Sequence, residues 1–102
     1  MSPESLLGRV ETTFATLASL IEARKPADLI QRALADLDAV CAQASAQEQG
    51  GASQELLRNV STAAQTWGQV WPRLGQQQEF RLAVAREARM WAKRFHELAS
   101  RP

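Results

Sequence analysis

An antiparallel, up-down-up-down bundle of four α-helices is the fold this sequence predicts, and three observations predict it. Good helix formers (Ala, Leu, Arg, Glu and Gln) dominate the 102 residues, with 5 Gly, 4 Pro and no Tyr, and strand-favouring residues never cluster. Apolar residues recur at alternating spacings of three and four in four separate stretches. Short breaks rich in Pro and Gly separate those stretches, the connector length that antiparallel neighbours need. A 45% hydrophobic content is enough for a packed core and too high for a disordered chain. The length is that of one domain.

The first helix is expected over about 3–24. Leu7, Val10, Phe14, Leu17 and Ile21 form its seam, Ser2 can cap it and Pro3 suits its first position. Arg24 and Lys25 suit its C-terminal dipole, and Pro26 bars continuation. The second helix, about 26–46, carries Ile30, Ala33, Leu34, Leu37, Val40, Cys41 and Ala44 inward, with Asp28 in its first turn. The stretch Gln47 to Ala52 contains Gly50 and Gly51 and reads as a mobile loop.

Ser53 is expected to cap the third helix, about 53–71, whose seam is Leu57, Val60, Ala64, Trp67, Trp71 and Leu74. Leu56, Ala63 and Val70 make a second apolar row beside it. Pro72 should end or kink this helix, unless it opens the next one, and Gly75 suits a C-terminal cap. The fourth helix, about 76–99, turns Phe80, Val84, Ala88, Trp91, Phe95 and Leu98 inward. These stripes are wider than a two-stranded coil requires and fit helices with two neighbours each. The alternative architecture is a pair of helical hairpins that completes the bundle by dimerising.

Several functional classes find no support. A single cysteine makes no internal disulfide and supplies too few ligands for zinc. The first residues, Met1 to Glu4, lack the basic and apolar regions of a signal peptide, and no segment approaches the ~20 apolar residues of a membrane span. A cytoplasmic location without membrane attachment follows as the expectation. His96 is the sole histidine and has Lys93, not a carboxylate, three residues before it, against the Glu-x-x-His pattern of di-metal bundles. Cys41, on an apolar stripe, reads as a small hydrophobe. There is no Gly-rich phosphate loop, Cys-x-x-Cys or serine nucleophile motif. The sequence therefore points to no enzyme, metal or cofactor.

Charge is unevenly placed. Residues 1–72 carry 5 basic and 8 acidic side chains, a balance of −3; residues 73–102 carry 7 basic and 3 acidic, a balance of +4. Arg86, Arg89 and Lys93 fall within about 60° of arc opposite the seam of the last helix. Leu82 shares that face and Met90 borders it, both apolar where solvent is expected. The bland reading is a solvated face that pairs with the acidic second helix. The functional reading is a non-catalytic protein-interaction module (an adaptor, chaperone or regulator that occludes a partner), with Trp71, Leu82, Arg86, Arg89, Met90 and Lys93 as the partner-binding candidates. For Trp71 the competing reading is a core residue, and core is the expectation for Trp67 and Trp91. A partner that is acidic or helical fits the surface, as does a second copy in a homodimer. The remaining alternative, a nucleic-acid-associated protein using the basic last helix, is disfavoured by the small basic excess.

Overall fold

In the computed structural model, which describes residues 6–47 and 52–100, four helices run α1 (Leu6–Glu22), α2 (Ala27–Gln47), α3 (Ala52–Leu74) and α4 (Gln78–Ala99). The molecule measures 40 × 24 × 19 Å, one helix long, since ~22 residues span about 33 Å. The predicted Ser2–Pro3 cap and the Gly50–Gly51 loop lie outside the described residues. The remaining starts and ends agree with expectation to within a few residues. One exception is the capping role assigned to Ser53, which lies inside α3 because the helix already begins at Ala52.

One continuous core runs through all four helices, from Val10, Phe14 and Leu17 through Ile30, Leu37 and Cys41 to Leu57, Val60, Val84 and Phe95. Phe14 stacks on Phe95 with ring centroids 5.9 Å apart and planes 15° from parallel, tying α1 to α4. No polar or charged residue is buried among those described.

The four helices are not equally spaced. α1 packs closely on α4, and α2 on α3; α1 and α2 are also neighbours, whereas α3 and α4 scarcely approach one another. Side-chain size accounts for the difference. Ala18 of α1 and Ala85 and Ala88 of α4 are buried, with Ala92 beside them, and these short side chains let two backbones come together. Ser61, Ala64 and Gly68 do the same for α3 against α2. Polar bonds add register there: Ser61 Oγ and Gln65 Nε2 both donate to Asp38 Oδ1, at 2.5 and 3.1 Å.

Pro72 neither ends α3 nor begins α4; it is the third residue from the C-terminus of α3. A proline deprives the carbonyl four residues earlier of its helical donor. That carbonyl belongs to Gly68, and Gln31 Nε2 of α2 donates to it at 3.3 Å. The helix survives its proline because a neighbouring helix supplies the missing bond. It closes three residues later, where Gly75 N–H donates to Trp71 O at 2.7 Å. A Cβ on Gly75 would sit 2.6 Å from both Trp71 O and Trp71 Nε1, so only glycine fits beside the indole.

Arg81 fastens this end of the bundle. Its guanidinium donates to Gly75 O at 2.9 Å and to Ile21 O of α1 at 3.2 Å, and lies 5.8 Å from the Trp71 ring centroid. The α1 terminus beneath it is a Schellman turn: Arg24 N–H donates to Ile21 O and Lys25 N–H to Leu20 O, at 3.1 and 3.0 Å. Arg24 takes φ 56° to make this turn, in the left-handed region that favours glycine. Arg24→Gly relieves that strain at the cost of a weak side-chain bond to Gln78. Chemical denaturation should show Arg24→Gly more stable than the parent by roughly 0.5–1 kcal/mol.

Candidate functional site

The space between α3 and α4 is lined mostly by large apolar side chains. At 100° per residue, Leu56, Ala63, Trp67, Val70 and Leu74 fall within about 60° of arc on α3, and Phe80, Trp91 and Leu98 share the corresponding side of α4. All eight are half-buried. Trp71 and Phe80 close the seam near the α3–α4 turn, with ring centroids 5.5 Å apart. Further along, the helices stand apart and leave an open groove of about 440 Å³ lined by Leu56, Met90, Trp91, Lys93, Arg94 and Glu97.

The floor of the groove is apolar. Trp91 leans on Phe95, centroids 6.2 Å apart, so the aromatic floor continues into the core. Its indole Nε1 is buried and has no hydrogen-bond acceptor among the described residues. Met90 on the α4 bank is 56% exposed, and Leu82, two turns earlier, is 50% exposed. Three cations stand on or beside this bank: Arg86, Lys93 and Arg94 are exposed, without a hydrogen-bond or ion-pair partner among the described residues. Glu87 and Glu97 are interspersed with them.

The structure separates the partner-binding candidates into three groups. Leu82, Arg86, Met90 and Lys93 are exposed on α4, as the sequence predicts. Trp71 is 2% exposed, sealed by Phe80 and Gly75 beneath Arg81, and as a core residue it offers no surface to a partner. Arg89 is exposed but engaged: Nη2 donates to Glu22 Oε1 at 2.7 Å and to Ser19 Oγ at 3.1 Å. That partner is on α1, not on the acidic second helix, because α1 is the helix packed against α4. Trp67 and Trp91, expected in the core, are half-buried in the seam instead. Leu56 and Arg94, which the sequence reading left out of the candidate set, line the groove. The signal for Leu56 was present in its membership of the second row with Ala63 and Val70.

Other polar and titratable groups lie elsewhere. Cys41 is fully buried, and desolvation pushes its thiol up to about 12, with the negative Asp38 adding to the rise. The thiolate needed for nucleophilic or ligand chemistry is therefore suppressed. His96 Nδ1 lies 3.2 Å from the Glu11 carboxylate at the exposed α1–α4 boundary. No group of three or more His, Cys, Asp or Glu converges among the described residues. None of the described helices is long and apolar enough to cross a membrane. Comparisons with family models, curated proteins and solved structures find no match to this chain.

The Arg89 hydrogen bond, joined by the attraction of its charge, holds the Glu22 carboxyl below the ordinary value of 4.5. A depressed carboxylate contributes stability above its unfolded value and loses it as pH falls through the folded one. Both side chains are 47% exposed, so solvent screening keeps the contribution under about 1 kcal/mol. Glu22→Gln should therefore lower the unfolding midpoint slightly at pH 7. The difference should vanish as pH drops below 4.5, and should also shrink in molar salt.

Proposed function

We propose that this protein is a non-catalytic interaction module that binds a partner protein along the open seam between α3 and α4. One observation carries the reading: an apolar valley bounded by Leu56, Met90 and Trp91 runs where a closed bundle would bury it. Exposed apolar surface of this kind, rimmed by charge, is the usual property of a docking site. Tryptophan, methionine and arginine are also the residues enriched at such interfaces. Adaptor, chaperone and regulator are all roles that a small binding module of this form can fill, and each acts by covering a partner's surface. The basic-helix reading, with nucleic acid as partner, draws less support. Arg81 and Arg89 are committed to intramolecular bonds, and Glu87 and Glu97 break up the remaining cations.

The test compares partners captured from the source cell by the parent, by Met90→Glu and by Asp36→Lys, with quantitative mass spectrometry. Met90 and Asp36 are both exposed, on α4 and α2, so both variants should unfold within about 0.5 kcal/mol of the parent. The expected result is a specific protein retained by the parent and by Asp36→Lys, and depleted at least tenfold by Met90→Glu, a loss of about 1.4 kcal/mol. A capture profile identical in all three proteins contradicts the proposal.

A further inference from the structure

We infer that the occupant of the α3–α4 seam is an acidic amphipathic helix contributed by a different protein. This rests on the reading of the seam as a binding site and specifies what enters it. The seam is a straight valley between two antiparallel helices, so it accepts a rod that lays one apolar stripe along it. A helix does this with residues spaced at three and four, and its own backbone hydrogen bonds are already satisfied. An extended strand would gain no backbone partners there, because both banks are helical and present side chains rather than free N–H and C=O groups.

Charge then selects the sign of the occupant. Arg86 stands two turns before Lys93 on the outer side of α4, and Arg94 follows Lys93 directly and lines the groove with it; all three are exposed and unpaired among the described residues. The α3 bank facing them is mostly uncharged, with Asn59 and Thr66 exposed at its edge. An incoming helix with carboxylates along one flank meets three cations on α4, while a basic helix meets the same three unfavourably. Glu87 and Glu97 subtract from this field without cancelling it.

A second copy of this chain fits the same charges less well. In a two-fold α4–α4 pairing centred on Met90, Arg86 of each copy faces Arg94 of the other. Lys93 then faces Glu87, so two attractions offset two repulsions and nothing is gained. An acidic helix meets three cations, Arg86, Lys93 and Arg94, against the two carboxylates Glu87 and Glu97, a net attraction that the two-fold pairing lacks.

The test uses a fluorescent designed helical peptide of about 18 residues, five turns, long enough to form a helix and to span the groove between Met90 and Glu97. It carries leucine along one stripe and glutamate on the flank; its twin carries lysine in place of every glutamate. Fluorescence anisotropy with the full-length protein at low salt should show the glutamate peptide bound at least roughly tenfold more tightly than the lysine twin. That preference should weaken with salt. Met90→Glu should remove binding, and the double variant Lys93→Glu, Arg94→Glu should invert the preference. Gain of the lysine twin shows at the same time that this variant is folded. Equal affinity for the two peptides, abolished by Met90→Glu, overturns the acidic assignment while leaving a protein-binding seam in place. Binding of neither peptide overturns the helical occupant, and the capture experiment then decides the broader reading alone. Sedimentation that finds a dimer dispersed by Met90→Glu overturns the inference in favour of a second copy.

Discussion

The approach of α4 to α1, and of α3 to α2, depends on short side chains placed at the contact lines. Ala18, Ala85 and Ala88 on one side of the bundle, and Ser61, Ala64 and Gly68 on the other, allow backbone distances that larger residues forbid. The two close pairs are joined through α1 and α2 into three sides of a ring. The fourth side receives Trp67, Trp71, Trp91, Leu56 and Phe80. Side chains of that volume hold helices apart. They fill the gap at one end, where Trp71 meets Phe80 and Arg81 covers the indole, and leave it open at the other. Uneven residue size, not irregular helix geometry, is thus what produces the groove.

The closed end explains how the fold tolerates an interior proline and a left-handed arginine. Gln31 replaces the donor that Pro72 lacks, and Arg81 binds carbonyls of both the α1 terminus and the α3–α4 turn. Two of these bonds, Gln31 to Gly68 and Arg81 to Ile21, link residues 37 and 60 positions apart, so tertiary contacts join the local turns in holding this end.

Much of this architecture is legible in the sequence because it is local. A 3.6-residue period depends only on neighbours along the chain, and it identifies the inward faces of all four helices, including the extra row of Leu56, Ala63 and Val70. What is not legible depends on which helix lies beside which. Pro72 reads as the end or a kink of α3, or as the start of α4, until Gln31, from another helix, reaches Gly68. Arg89 reads as a partner-binding cation or as one paired with α2 until α1 brings Glu22 to it. Trp67 and Trp71 share a stripe at a spacing of four, yet one is half-buried and the other is sealed by Phe80. The period separates them only by about 40°: Trp67 falls in the arc of Leu56, Ala63 and Val70, and Trp71 turns toward Leu57, Val60 and Ala64. Met90 and Lys93 read correctly as exposed, since exposure on the face opposite the core follows from the helical period alone.

The seam is shut around Trp71, where Phe80 covers the indole, whereas Trp67 and Trp91 stay half-buried along it. Three variants that each retain one tryptophan, the other two replaced by phenylalanine, report on this through acrylamide quenching of their fluorescence. The protein retaining Trp71 should emit further to the blue and resist quenching, whereas those retaining Trp67 or Trp91 should be quenched severalfold more readily. Equal protection of all three indoles would mean that α3 and α4 pack closed, and would contradict the account.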